Sequence, residues 1–343
     1  MPDASDFRSD TVTLPCAEMR RAMAEAHVGD DVLDGDPTVG ELERLGAEWL
    51  GKEAALYVPS GTMANQVAVG AWTQPGQELI CEAEAHVFRW EGGALGSNHG
   101  VQSLTLQGDR GALSRDQVEA AIRPDFIHCA ATGLLCLEQT HMGSGGRVIP
   151  LEQLEQAALG GRDAGIPVHL DGARLANAVV ASGIPAERWT RGFDSVSLCL
   201  SKGLGAPVGS LVAGSDEFVT RARRERKRLG GWMRQAGIIA AGGLFALKNN
   251  VERLAEDHAL ARSLAEGLDA LSGFHCPPGL VETNIVLVGV DLPEWSAAEV
   301  AERFGAFGVR VMALGPGTLR FVTHKDVGQA DVERVISAAK AIA

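Results

Sequence analysis

The chain alternates short apolar runs with longer amphipathic stretches, and that rhythm constrains its fold more than any other feature. The runs "AALYVPSG" (54–61), "ELICEAEA" (78–85), "GLLCLEQTH" (133–141), "IPVHLDGAR" (166–174), "SVSLCLSKG" (195–203) and "GSLVAG" (209–214) read as strands. Between them "TMANQVAVGAW" (62–72), "SRDQVEAAI" (114–122) and "LEQLEQAALGGRDAG" (151–165) read as helices, with Ser114 as an N-cap. Strands separated by helices cannot close tight hairpins. The expectation is therefore an α/β fold, a mainly parallel central sheet with helices on both faces. After residue 235 come a long helical stretch, a strand at 283–290, a helix near 296–305, "TLRFVTH" (318–324) and a closing helix. These predict a smaller C-terminal α+β domain at 248–343, after an N-terminal segment and large domain at 1–247.

Charge and composition narrow the function classes. A formal net charge of −13 argues against nucleic acid or an anionic membrane as partner. The basic run "RARRERKR" (221–228) goes against that average and reads as a solvated helix face. Six cysteines are scattered without a CxxC pair, so no disulfide framework is expected. The polar start "MPDASDFRSD" is unlike a signal peptide, and no apolar run reaches membrane-spanning length. The expectation is a soluble cytoplasmic protein. No His/Cys/Asp grouping has metal-ligand spacing, and no catalytic metal is expected.

In open parallel sheets, ligands bind beyond the carboxyl ends of the strands. That rule singles out Ser60-Gly61-Thr62, His86, His141, Asp171 to Arg174, and Ser201-Lys202. "PSGTMANQ" places a glycine and a hydroxyl at a strand-to-helix junction, where free N–H groups can cradle a phosphate. Asp171 closes an apolar strand, where a carboxylate needs a cation or N–H donors; a pyridinium nitrogen is one such partner. Lys202 follows the next strand, and an amine in a partly desolvated site can form a Schiff base. A phosphate turn, a covering histidine, a strand-end aspartate and a strand-end lysine, in that order, meet the requirements of pyridoxal phosphate.

At these residues the sequence resembles the pyridoxal-phosphate-dependent L-threonine aldolases, of the aspartate-aminotransferase-like fold type I. The resemblance spans essentially the whole chain, through "FRSDTVTLP" (7–15), "VGDDVLDGDPTV" (28–39), "GKEAALYVPSGTMANQ" (51–66), "LEQTHMGSGGRVIPL" (137–151), "HLDGARLANAVVASG" (169–183), "SLCLSKGLGAPVGSLVAGS" (197–215), "GGWMRQAG" (230–237) and "LRFVTHKDV" (319–327). It implies that Lys202 carries the cofactor as an internal aldimine, that Asp171 grips the pyridine nitrogen and that His86 stacks on the ring. Gly61 and Thr62 then form the phosphate cup, with Arg234 reaching it from a neighbouring subunit. Ser9, Arg174 and Arg320 hold the substrate α-carboxylate, His141 lies near its β-hydroxyl, and Lys227 approaches the active site or a subunit interface.

The activity so implied is cleavage of the Cα–Cβ bond of L-threonine, L-allo-threonine and related β-hydroxy-α-amino acids to glycine and an aldehyde. The protein would be a homotetramer with shared active sites. The base that takes the β-hydroxyl proton is His86, His141 or a bound water. Two alternatives remain: another fold type I enzyme, a β-eliminating lyase or aminotransferase, and a cofactor-free binding protein. The chain departs from the family pattern at Leu33, at "LDGD" and at Trp232 in "GGWMR", and a Trp232 that narrows the pocket or stacks on an aromatic β-substituent is one expectation. His27, His99, His128 and His169 carry no catalytic reading.

Overall fold

The computed structural model describes residues 4–343. In chain order the strands are β1 (Ser5–Asp6), β2 (Ala54–Val58), β3 (Glu78–Glu82), β4 (Gln102–Leu106), β5 (Thr132–Glu138), β6 (Val168–Asp171), β7 (Ser195–Cys199) and β8 (Ser210–Gly214). They continue with β9 (Phe274–His275), β10 (Ile285–Val290), β11 (Val309–Arg310), β12 (Met312–Ala313) and β13 (Thr318–Val322). The large sheet runs β2-β8-β7-β6-β5-β3-β4. Its β4, β3, β5, β6 and β7 are mutually parallel. The short β7–β8 connection makes β8 antiparallel to β7, and β2 is antiparallel to β8.

Burial on both faces explains the unbroken apolar runs. Successive side chains point to opposite faces, so Leu135, Leu137 and Leu170 join one core with the helices Pro37–Leu50 and Leu151–Asp163. Leu134, Cys136, Leu79 and Cys81 join a second with the helix Gly61–Trp72. Helix starts follow local chemistry. Ser60 Oγ accepts from Met63 N, Asp36 accepts from Thr38 N and Val39 N, and Ser114 forms a capping box with Gln117.

A second sheet, β12-β13-β10-β9, is backed by the helices Leu254–Asp269, Ala297–Ala306 and Gln329–Ile342. Phe304 and Phe321 meet edge-on in its core, and Phe7 inserts from the N-terminus, 6.0 Å from Phe321 between ring centroids. β1 pairs with β11, so the N-terminal segment is tied to this C-terminal part before it crosses to the large sheet. No helix among the described residues is long and apolar enough to cross a membrane.

Two local expectations change. The strand expected over 195–203 ends at Cys199, and Lys202 sits in the turn that follows. The basic run lies on the helix Asp216–Arg228, yet it is not simply a solvated face. Arg226 is 2% exposed, donates to the Tyr57 carbonyl and pairs with Asp31 at 3.0 Å. Arg221 lies over the Trp72 ring. A guanidinium can be buried where a carboxylate and a carbonyl receive it.

Candidate active site

The parallel strands deliver chemistry to one end of the sheet. Asp171 is the last residue of β6 and stands in register with Glu138, the last of β5. His86 opens a helical turn after β3, and Lys202 occupies the turn after β7. The half-buried Lys202 amine makes no hydrogen bond or ion pair among the described residues. Its charge acts on Asp10, Asp171 and His86.

Asp171 is almost fully buried and wired from behind. Its Oδ2 accepts from Asn65 Nδ2 at 2.7 Å and its Oδ1 from Ala173 N at 3.0 Å. Burial would raise its pKa, but the charges of His86 and Lys202 and the Asn65 amide outweigh that and hold it below the ordinary carboxylate value. Asn65 Oδ1 receives His169 Nε2 at 3.2 Å; His169 Nδ1 lies 2.9 Å from Ser195 Oγ, which also accepts from Trp72 Nε1. Burial pushes His169 down to about 4, so it is neutral. A neutral ring that donates through Nε2 and accepts at Nδ1 satisfies every member of this relay.

His86 is fixed by Glu91, whose side chain has no exposed surface. Glu91 Oε1 lies 3.0 Å from His86 Nδ1 and accepts from Asn65 Nδ2, and its Oε2 accepts from Gln66. Burial alone would lower the His86 pKa; the Glu91 hydrogen bond and the Asp171 charge raise it overall. Its Nε2 makes no hydrogen bond among the described residues. Donor atoms of His86, Glu91 and Asp171 lie within 4.8 Å of one another, a convergence that sequence spacing did not display. The Asn65 amide donates to both carboxylates from within that group.

The two candidate carboxylate clamps differ. Arg174 grips Asp10 with two bonds, Nε to Oδ2 at 2.9 Å and Nη2 to Oδ1 at 2.6 Å. Arg320, also buried, has no carboxylate bonded to it among the described residues. It donates to the Arg8 carbonyl at 3.0 Å and touches the sulfurs of Met142 and Met312, and its Nε has no acceptor among the described residues. Burial and the nearby Arg174 charge lower its pKa. Ser9 caps a short turn, accepting from Thr11 N at 3.3 Å.

His141 is held away from solvent, 1% exposed. Its Nε2 lies 3.0 Å from Glu82 Oε2 and its Nδ1 3.0 Å from Ser144 Oγ. Gly111, with a φ of +90°, is required beside it, because a Cβ there would run into the ring. Burial lowers the His141 pKa, and the Glu82 hydrogen bond more than restores it.

Gly61 and Thr62 open the helix Gly61–Trp72, with N–H groups free for an anion. Beside them Ser210 Oγ is buried with no partner among the described residues, 3.7 Å from where a Cβ on Gly61 would stand. Arg234 pairs with Asp30 at 3.2 Å and is half exposed. Trp232 donates Nε1–H to Asp31 Oδ2 at 2.7 Å, with Arg226 and Lys227 near its ring face. This indole therefore joins segment 28–36 to the helix Asp216–Arg228.

Among the described residues, an amine without a partner, a wired carboxylate, an orphan hydroxyl at a helix start and a guanidinium with no carboxylate bonded to it fit pyridoxal phosphate and an amino acid. Sequence reasoning passed over Asp10, Asn65, Glu91 and Glu138, and it gave His169 no catalytic role. Asp10, Asn65 and Glu138 lay inside quoted motifs, but their partners are remote in the chain. Glu138 accepts from the backbone N–H groups of His86 and Met142.

The model of the beta-eliminating lyase family matches residues 6–292. The chain is 43% identical over 337 residues to a probable low-specificity L-threonine aldolase 2 of Arabidopsis thaliana, covering 97% of this chain and 95% of that one. It is 43% identical over 336 residues to the low specificity L-threonine aldolase of Escherichia coli K12, covering 96% of each. Its fold superposes on that of the Leishmania major threonine aldolase with a TM-score of 0.83 at 21% identity, covering 98% of this chain and 99% of that one.

Proposed function

We propose, from the premise that this chain belongs to the beta-eliminating lyase family alongside the low-specificity L-threonine aldolases, that it cleaves the Cα–Cβ bond of L-threonine, L-allo-threonine and related β-hydroxy-α-amino acids. The products are glycine and an aldehyde, and the cofactor is pyridoxal phosphate. The observation that carries this reading is the Lys202 amine, which has no hydrogen bond or ion pair among the described residues and whose charge acts on Asp171, Asp10 and His86.

Lys202 Nζ would carry the cofactor, Gly61 and Thr62 its phosphate, and Asp171 its ring nitrogen. When bound, pyridoxal phosphate supplies an aldehyde for covalent attachment and a ring that accepts the electron pair of the broken bond. Asp171, kept ionised, holds a proton on that nitrogen. Arg320 takes the substrate carboxylate in a charge-assisted pair and so turns the Cα–Cβ bond toward the position from which it breaks. Ser9 supplies a nearby hydroxyl. With Glu91 accepting from Nδ1, His86 keeps a lone pair on Nε2 and takes the β-hydroxyl proton, directly or through a water. His141, with both nitrogens engaged, shapes the wall beside it.

Exposed Leu33 and Ile238 flank the joined segments 28–36 and 230–238, which also present Arg234 and, alongside, Lys227. The assembly we assign is a homotetramer in which Arg234 serves a neighbouring subunit; light scattering measures it. We also assign the large part to 1–247, the small part to 248–343, and the location to the cytoplasm.

The test is to incubate the purified holoenzyme with L-threonine and measure glycine and acetaldehyde, with Lys202→Ala as control. Equal release by both proteins overturns the reading. The family's own description favours β-elimination as the second reading, and ammonia with a 2-oxo acid in place of glycine would establish it.

A further inference from the structure

The side chains behind Asp171 form a hydrogen-bonded chain whose direction can be assigned atom by atom. The helix Gly61–Trp72 carries both of its ends, Asn65 and Trp72, two turns apart and so on one face. Between them stand His169 of β6 and Ser195 of β7, which are cross-strand neighbours. Trp72 Nε1–H donates to Ser195 Oγ at 2.8 Å, and an indole nitrogen can only donate. Ser195 points its own hydrogen at His169 Nδ1, 2.9 Å away. His169 Nε2–H then faces Asn65 Oδ1 at 3.2 Å, which also accepts from Ser197 Oγ at 3.2 Å. The Asn65 amide nitrogen is thereby turned to Asp171 Oδ2 and Glu91 Oε1, 2.7 Å from each. Swapping the His169 tautomer or flipping the Asn65 amide would set lone pair against lone pair.

We propose that His169 is a positioning residue for the cofactor: by fixing the orientation of Asn65, it holds the carboxylate that serves the cofactor nitrogen beside the one that fixes His86. This rests on the reading above, in which Asp171 holds the ring nitrogen and Gly61 and Thr62 the phosphate. Asp171 and Glu91 are buried acids with oxygen atoms within 4.8 Å of each other, and like charges that close repel unless donors lie between them. Asn65 supplies an N–H to each. Its helix opens at Gly61 and Thr62, so the same chain sets the phosphate end of the site against the nitrogen end. His169 touches Asn65 and Ser195 and acts through them.

The experiment titrates pyridoxal phosphate back into the purified full chain after its removal, and follows threonine cleavage at saturating cofactor. His169→Leu removes the donor to Asn65. It is expected to weaken cofactor binding and to lower kcat by about 10-fold each, with KM for threonine changed by less than about 3-fold. His169→Gln carries an amide nitrogen in place of Nε2 and is expected to return both values to within about 3-fold of the wild type. A histidine that only filled space would be replaced as well by leucine as by glutamine. Should His169→Leu not fold, Asn65→Asp keeps the side chain's shape, puts an acceptor in place of the donor, and is expected to weaken cofactor binding by about 10-fold or more. Wild-type cofactor affinity in a folded His169→Leu or Asn65→Asp protein, or a His169→Gln protein as impaired as His169→Leu, overturns the proposal while leaving the threonine reaction intact. A wild type that neither binds the cofactor nor cleaves threonine overturns the underlying reading instead.

Discussion

His86 and His141 both follow strand ends of the large sheet and both lean on a buried glutamate, yet their situations are opposite. His86 keeps 26% of its side chain exposed, and its Nε2 makes no hydrogen bond among the described residues. His141 is 1% exposed and has a partner on each nitrogen. A histidine's chemistry is set by what remains unbonded after folding, and only the first has a ring atom left for a proton in transit.

The sharpest way to break this comparison is to remove each ring in turn. His86→Asn is expected to lower kcat for threonine cleavage by about 100-fold, the range of a lost general base, and His141→Asn by less than about 10-fold. A reversed order would hand the proton to His141. The next effect is on pH dependence. His86 must be unprotonated to accept a proton, and its pKa is raised from 6.5, so activity falls as pH drops through that raised value. Glu91→Gln removes the hydrogen bond that raises it, and the acid limb of the kcat/KM profile should move to lower pH. A limb that stays in place would show that another group titrates.

For His141 the glutamate matters to stability. The Glu82 pKa lies below 4.5, because the His141 hydrogen bond overcomes burial, so its contribution is present above that value and fades as pH falls. The His141 pKa lies above 6.5, so its contribution is full below 6.5 and fades as pH rises through the raised value. Glu82→Gln should therefore destabilise the protein most near pH 5 to 6, by about 1–3 kcal/mol in urea unfolding. A difference that does not change with pH would contradict the pairing. Smallest is Trp232→Phe, which loses the bond to Asp31 and should cost about 1 kcal/mol in the same measurement. Trp232→Gly extends the test, and a changed threonine-to-phenylserine ratio there would place the indole in the substrate pocket as well as in the latch.

Much of the fold could be read from periodicity. The runs ending near Gly61, Ala85, His141, Arg174 and Lys202 are strands of one sheet, and Ser114 caps the helix it was expected to cap. The details that were not legible depend on distant partners. Nothing in "RARRERKR" indicates that Arg226 is buried, because the groups that receive it are Tyr57 and Asp31. Arg174 and Arg320 look alike in the chain, and no local pattern indicates that one is already neutralised.

The sequence by itself determined the strand and helix rhythm, the glycine and hydroxyl of the 60–62 turn, and the aspartate and lysine at the strand ends, since each follows from local spacing and residue type. Only the tertiary structure decided which charges are left over. Asp10 lies 164 positions from Arg174, and Asn65 lies 106 from Asp171. A buried charge takes its character from the nearest counter-charge in space, and chain order does not encode that distance.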